Sequence, residues 1–246
     1  MLVRELQERA ALAFPPLRVE HRDGWWLRHA DGSAWWAGSV LPHSADLGDR
    51  IADAEAFYAA LNTPARFQVS PGACPPGLDA ALAARGYRIE SPMSLGTAPT
   101  ATVTGRLRAD DATVSEKPTD AWFAVWRSVH GGPEPDRDRD MLARVTRPTA
   151  YASVVADGEV VAVGRVVADA GWAGIFAMAT LPHARGRGAG RRVLAALAHW
   201  AAARRAHHLY LQVDPDNAAA DRLYARAGFA ELCRYHYRVR VAAVSG

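Results

Sequence analysis

The sequence predicts an α+β protein, a mixed β-sheet packed with helices, built as two tandem copies of one unit. Two observations lead to this fold class. Segments with the alternating pattern of strands are interleaved with segments of helical spacing along the whole chain. Short motifs of the first half also return in the same order in the second half. With 246 residues, half of them apolar, the chain can bury one large core or two modest ones.

The internal repeat is carried by three pairs of motifs at separations of 140 to 144 residues. They are Val40-Leu41-Pro42-His43 with Thr180-Leu181-Pro182-His183, Phe67-Gln68-Val69 with Leu211-Gln212-Val213, and Ala84-Arg85-Gly86-Tyr87 with Arg226-Ala227-Gly228-Phe229. Each match falls at a strand end or a helix end. We therefore predict a first domain over residues 1–98 and a second over 105–246, with the Gly- and Thr-containing stretch 96–104 as a linker or domain seam.

The elements of the first copy follow from apolar spacing and turn signals. Residues 2–13 predict an amphipathic helix that ends before Pro15-Pro16. Strands are predicted over 25–29 and 34–40, around the tight-turn pair Asp31-Gly32. The remaining predictions are a helix over 49–61, a strand over 66–70, a helix over 76–84 closed by Gly86, and a strand over 88–95.

The second copy has a longer series of elements. It begins with a strand over 112–116, helices over 119–129 and about 136–145, and a hairpin of 151–156 and 160–167 around Asp157-Gly158. A strand over 174–181, a Gly-rich loop and a helix over 190–205 come next. Strand 209–213, helix 217–227 and strand 229–241 complete it.

Composition and charge narrow the function classes. The formal net charge is +3, and the arginines are scattered among acids instead of forming a basic face, which argues against a nucleic-acid binder. No apolar run approaches the roughly 20 residues of a membrane span, and the charged N-terminus is unlike a signal peptide. The adjacent His207 and His208 lack a third ligand at metal spacing. We expect a cytoplasmic protein without metal or membrane.

The loop Arg185-Gly186-Arg187-Gly188-Ala189-Gly190 lies between a strand and a helix. The first N–H groups of a helix lack internal partners, and the helix dipole adds partial positive charge there. Glycines let a phosphate approach the backbone closely. Taken alone, this loop could also be a tight turn. No Lys follows it as in a P-loop, and no βαβ unit with a ribose-binding acid follows it as in a dinucleotide fold.

Two motifs together resemble the GNAT superfamily of N-acetyltransferases. The family pattern [Q/R]-x-x-G-x-[G/A] after a strand end is met by Leu181-Pro182, Arg185, Gly188 and Gly190. A second pattern, N-x-x-A-x-x-L-Y-x-x-x-G-F, is met by Asn217, Ala220, Leu223, Tyr224, Gly228 and Phe229. The resemblance covers about residues 108–241 well. The first copy has no Gly-rich loop and resembles the family faintly, as a degenerate copy.

The resemblance implies a set of roles. Acetyl-CoA would be the cofactor, with its pyrophosphate held by backbone amides of the loop and its pantetheine arm added to the sheet as an extra strand. The implied binding residues are Ala179, Leu181, Arg185, Gly186, Arg187, Gly188, Ala189, Gly190, Arg191 and Asn217. Tyr224 would be the catalytic acid, because a phenol stays protonated at neutral pH and can protonate the leaving thiolate.

The implied reaction is direct transfer of an acetyl group to a primary amine of a small molecule, amino acid or peptide. A non-catalytic acetyl-CoA-binding regulatory module is the alternative, and Tyr224 argues against it. The protein would be a monomer, as a pseudo-dimer of its two copies, or a homodimer. Spacing assigns no general base among the possible residues Glu134, Asp169, Asp214, His130 and Glu159.

Overall fold

The computed structural model of the protein describes residues 1–31, 34–44, 46–108, 111–131 and 134–240. In the first half of the chain the elements are α1 (Leu2–Ala13), β1 (Arg18–Arg22), β2 (Trp25–His29), β3 (Leu41–Pro42), α2 (Arg50–Ala59), β4 (Arg66–Val69), α3 (Leu78–Ala84) and β5 (Arg88–Pro99). Those that follow are α4 (Thr100–Arg106), β6 (Ala112–Ser115), α5 (Asp120–His130), α6 (Pro135–Ala143), β7 (Thr149–Ala156), β8 (Glu159–Asp169), β9 (Trp172–Thr180), α7 (Ala189–Ala203), β10 (His208–Val213), α8 (Ala218–Ala227) and β11 (Ala230–Val239).

The chain forms two compact units that are not contiguous in sequence. Unit 1 contains Met1–Ser94, Asp136–Arg144 and the residues from Cys233 onward, and unit 2 contains Leu95–Pro135 and Val145–Leu232. Strand β5 therefore begins in unit 1 and ends in unit 2, whereas β11 begins in unit 2 and ends in unit 1.

Unit 2 is built on strands in the order β5-β10-β9-β8-β7-β6. The β6–β7, β7–β8 and β8–β9 pairs are antiparallel, and β9–β10 is parallel, so the sheet is mixed. Helix α7 carries a continuous apolar face of Val193, Leu194 and Leu197, fully buried against the strands. The predicted α+β class with a mixed sheet is confirmed.

Unit 1 contains the antiparallel strands β1-β2-β3. Val40, just before β3, forms a parallel bridge to Phe67 of β4, and β4 pairs antiparallel with the end of β11. Its core surrounds the fully buried Phe67 and Leu78. The parallel arrangement of Val40 and β4 repeats that of β9 and β10, as the matching motifs indicated.

The hairpin of the first copy differs from the sequence prediction. The partner of β2 is β1, through a tight turn at Asp23-Gly24 in which both residues have positive φ, 46° and 84°. Residues 35–38 form a short 3₁₀ helix instead of a strand. The buried Arg28 fixes it by donating to the carbonyl of Ser39 at 2.8 Å. Gly32, part of the turn expected from the sequence, lies outside the described residues.

The stretch 96–104 is not a linker, but it lies directly after the boundary between the units at Ser94 and Leu95, as expected of a domain seam. Residues 96–99 continue β5, and a Cβ on Gly96 would touch Leu211 and Phe229, so its small residues fit a strand inside a sheet. Helix α4 follows at once, and the N–H of Thr100 donates to the carbonyl of His207. In the described parts of the chain, no helix has the length and apolar character needed to cross a bilayer.

Candidate functional site

The pairing of strands β9 and β10, in the middle of the unit 2 sheet, ends before either strand does. Their parallel ladder runs from Trp172–His208 to Ile175–Leu211 and stops there, although β9 continues to Thr180 and β10 to Val213. Beyond Ile175, main-chain groups on this side of β9 have no ladder partner on β10. We call this unpaired stretch beside β9, beyond the last rung, the β9–β10 gap.

A β-bulge lies on β9 beside this gap. Val163 of β8 faces Ala179, but Arg165 faces Phe176, so Ala177 and Met178 together oppose Gly164. Ala177 has a φ of 53°, an uncommon backbone conformation for a residue with a side chain. Such a bulge bends the strand and changes the direction of its backbone groups.

The hydrogen-bonding phase of β9 decides which residues face the gap. The N–H of Leu181 donates to the carbonyl of Val161 at 2.9 Å. Because hydrogen-bonded pairs alternate along an antiparallel ladder, Leu181 and Ala179 direct their polar backbone groups toward β8. Thr180 and Met178 direct theirs away from β8, toward the gap.

The Gly-rich loop connects this strand end to α7. A 3₁₀ turn over Pro182–Ala184 leads into it. Gly186 and Gly188 have positive φ values of 74° and 80°, and a Cβ on either would meet no atom within 4 Å. These two positions favour glycine through their backbone conformation. Gly190 is not left-handed, and its Cβ would be 3.5 Å from Oγ1 of Thr180, which agrees with the Gly-or-Ala position of the family pattern.

The loop forms a cationic helix N-terminus. Gly188 is the N-cap of α7. Its carbonyl accepts a helical hydrogen bond from the N–H of Arg192. Arg185, Arg187 and Arg191 are exposed, and no carboxylate pairs with them among the described residues. Arg185 also donates from Nε to the carbonyl of Thr180 at 3.3 Å, which ties the loop to the gap.

Two residues of the second motif, Asn217 and Tyr224, lie at the start of α8 and within it. Asn217 is the N-cap, and its side-chain oxygen accepts from the N–H of Ala220 at 3.1 Å. Tyr224 is buried and lies edge-on to Phe229, with ring centroids 5.8 Å apart. Gly228, with a φ of 107°, closes the helix.

Burial raises the pKa of Tyr224 to about 12. No other group contributes to this shift, because the phenol lacks a charged or hydrogen-bonding neighbour among the described residues. It therefore stays protonated at neutral pH and can donate a proton.

The possible bases named from the sequence lie in different places. Asp169 pairs with Arg147 at 3.2 Å, and Glu159 lies 3.4 Å from His183. Asp214 accepts from the N–H of Asp216, as a turn residue does. His130, at the end of α5, has its Nε2 2.9 Å from the carbonyl oxygen of Met178. Its side chain thus contacts β9 at the bulge, beyond the last rung of the β9–β10 ladder, and no sequence spacing indicated it.

The same positions of the first copy are closed. Val40, the counterpart of Thr180, donates its N–H to the carbonyl of Arg66 at 2.7 Å and accepts from the N–H of Gln68 at 3.0 Å. Helix α2 has Asp49 as its N-cap and Asp53 in its first turn, and its one N-terminal arginine, Arg50, is paired with Asp46 at 3.3 Å. The first copy thus has neither the gap nor the cationic loop.

Comparisons with known proteins agree with this geometry. Residues 2–240 match the model of the family described as "Probable histone acetyltransferase Rv0428c C-terminal". The "Uncharacterized N-acetyltransferase YobR" of Bacillus subtilis (strain 168) is 29% identical over 245 residues, covering 97% of this chain and 98% of YobR.

Solved structures share the fold. A GCN5-related N-acetyltransferase from Kribbella flavida has a TM-score of 0.70 at 18% identity and covers 98% of this chain and 95% of its own. A tandem GNAT protein from the clavulanic acid biosynthesis pathway has a TM-score of 0.62 at 14% identity, with coverage of 80% of this chain and 70% of its own.

Fold, loop and relatives together define the class, a GNAT-superfamily acetyltransferase. The family match spans nearly the whole chain and identifies one family within this class. The chain belongs to the family of the probable histone acetyltransferase Rv0428c C-terminal region.

Proposed function

We propose that the protein transfers the acetyl group of acetyl-CoA directly to a primary amine, at the second copy. The observation that carries this proposal is the β9–β10 gap beside the cationic loop, with both features missing at the matching positions of the first copy. The acceptor would be a small molecule, an amino acid or a peptide. The printed description of the family, a probable histone acetyltransferase, is compatible with a lysine amine in a peptide.

The loop suits a diphosphate. The first N–H groups of α7, from Ala189 to Arg191, point outward without helical partners, and the helix dipole adds to the charge of three exposed arginines. Glycines at 186 and 188 leave open space at the backbone surface. The backbone amides of Arg187, Gly188, Gly190 and Arg191, next to Gly186 and Ala189, would hold the pyrophosphate of acetyl-CoA.

The gap suits the pantetheine arm, which contains two amide groups. A strand edge with unpaired N–H and C=O groups binds an extended ligand as it would another strand. The resemblance pointed to Ala179 and Leu181, but their backbone groups face β8. We therefore assign this contact to the N–H groups of Met178 and Thr180, one residue earlier in each case, since the carbonyls of these two residues already accept from His130 and Arg185.

Acetyl-CoA would supply an activated thioester carbonyl. Tyr224 would donate its phenolic proton to the departing sulfur, because the phenol is protonated at neutral pH. A backbone N–H of the bulge would stabilise negative charge on the carbonyl oxygen. Asn217 holds the start of the helix that carries Tyr224.

Calorimetric titration of acetyl-CoA into the protein tests the proposal. We expect micromolar binding to the parent and to Gly86→Asp, which places the same side chain on a left-handed glycine in unit 1 with equally open surroundings. Binding should be lost in Gly188→Asp, where a carboxylate enters the anion site. Absence of binding to the parent protein would refute the assignment. Binding without acetylation of any amine in a broad panel would favour a regulatory module.

A further inference from the structure

The end of helix α5 is held in a fixed position beside β9. The buried Trp122 and Trp126 anchor the helix, and Nε1 of Trp122 donates to the carbonyl of Gly164, opposite the bulge, at 3.2 Å. Gly131 ends the helix with its N–H on the carbonyl of Arg127 at 2.7 Å. A Cβ at position 131 would clash with that same carbonyl. The last helical residue, His130, therefore has a defined direction.

The contact of His130 fixes its tautomer. Its Nε2 lies 2.9 Å from the carbonyl oxygen of Met178, and a carbonyl can only accept. The hydrogen of a neutral ring must therefore be on Nε2, which leaves the lone pair on Nδ1. The side chain is exposed, and Nδ1 has no hydrogen-bond partner within the described residues. The ring of Trp126 packs near it, with centroids 6.5 Å apart.

This basic nitrogen lies next to the strand segment that would hold the acetyl donor. Met178 is part of the bulge and is past the last rung of the β9–β10 ladder. In the proposed function its main chain borders the pantetheine arm. An imidazole bonded to that residue is thus within one side-chain length of the segment along which the thioester would lie.

We infer that His130 is the general base of the acetyl transfer, a role that rests on the proposed function. Nδ1 of His130 takes one proton from the ammonium form of the acceptor. The amine nitrogen then forms the C–N bond and the C–S bond breaks. The sulfur takes the proton of Tyr224, and a second proton from the nitrogen restores the phenol. The proton on His130 leaves to water, so the reaction releases one proton overall.

The charged surroundings of His130 are simple. Strand β9 has no titratable side chain from Trp172 to Thr180. On the α5 side of the sheet, β8 contributes the buried Arg165, and β7 the Tyr151 that lies beside it. Helix α5 itself contributes Arg127 and, at its other end, Asp120.

Two substitutions distinguish the function of His130 as a base from its hydrogen bond to Met178. Gln in His130→Gln can still donate to the Met178 carbonyl but cannot accept the proton, whereas His130→Ala removes both functions. His199→Gln is the matched control, because Nε2 of His199 also lies 3.0 Å from a carbonyl, that of Leu107. Each variant is assayed for acetyl-CoA affinity and for transfer to benzylamine and to a lysine-containing peptide across pH 6 to 10. If neither amine reacts, hydrolysis of acetyl-CoA with water as acceptor is compared instead.

We expect both His130 variants to bind acetyl-CoA like the parent. Their turnover at neutral pH should be lower than that of the parent by about 100-fold or more. The loss should shrink at high pH, where the amine is already neutral, and added imidazole should partly rescue His130→Ala. Turnover of His130→Gln within twofold of the parent would overturn the inference. So would ¹⁵N NMR spectra of the imidazole that place the proton on Nδ1. Failure of the parent to bind acetyl-CoA would instead refute the proposed function.

Discussion

Replacing Gly188 by alanine tests the loop most directly. Gly188 has φ and ψ of 80° and 3°, a conformation that costs an L-residue about 1–2 kcal/mol. A Cβ there would meet no protein atom within 4 Å, so no clash adds to this cost. Loss of unfolded-state freedom offsets about 0.4–1 kcal/mol. The net loss of stability should be about 1 kcal/mol, or roughly 2–4 °C in Tm for a chain of this size.

The same methyl group should have a larger effect on ligand binding. It would stand where the backbone surface must approach a phosphate, and losing one hydrogen bond to a charged group costs about 1.5–3 kcal/mol. We therefore expect acetyl-CoA affinity to fall about 10- to 150-fold. Thermal unfolding measures the first effect and calorimetric titration the second.

Two matched variants separate backbone strain from site chemistry. Gly86→Ala has nearly the same φ, 82°, and equally open surroundings, so it should lose similar stability and keep its affinity. Gly190→Ala should keep both, because its Cβ would make ordinary contacts and its backbone is not left-handed. Equal affinities for Gly188→Ala and Gly86→Ala would refute the reasoning.

Three further predictions concern other parts of the molecule. Tyr224→Phe should keep acetyl-CoA affinity and lower turnover about 100-fold or more in steady-state assays, since the phenol lacks a structural hydrogen bond within the described residues; unchanged turnover would exclude it as the acid. Asn217→Ala should lower the Tm through loss of the helix cap, about 1 kcal/mol, while Asn217→Asp should retain the cap; equal stability of the two variants would contradict this role. Burial lowers the pKa of His43, and the bond from His43 lowers the pKa of Glu8. Both groups bind protons more weakly in the folded protein than in the unfolded chain, so the free energy of unfolding should fall as pH drops from 7 to 4. The Tm measured against pH should fall less in His43→Gln than in the parent.

The elements were readable from the sequence where local rules decide them. The loop between β9 and α7, the capping glycines 86 and 228, and the Asp157-Gly158 hairpin all lie where apolar spacing and turn chemistry placed them. The prediction for the hairpin of the first copy was wrong because the sequence contains two Asp-Gly pairs there. Asp23-Gly24 makes the turn, and long-range bonds from Arg28 fold residues 35–38 into a 3₁₀ helix.

The sequence predicted the loop of the candidate site but not which residues of β9 border the gap. Which residues of β9 face the gap depends on a bulge in which a plain alanine, Ala177, adopts a positive φ, and no glycine signals it. The contact of His130 with Met178 spans 48 residues and depends on how α5 packs on the sheet. Local patterns contain no information about either feature.

Each half of the chain contributes a strand segment to the compact unit that is built mainly from the other half. Residues 95–99, contributed by the end of the first half, lie beside β10 in the sheet that holds the gap. Residues 236–239, contributed by the end of the second half, pair with β4, and Asp79 clamps them there through Arg238 at 2.8 Å. A cut at any point between the copies would leave each half with an open sheet edge, which invites aggregation. The two copies are thus interlaced, so that neither half of the chain contains all the strands of its own unit.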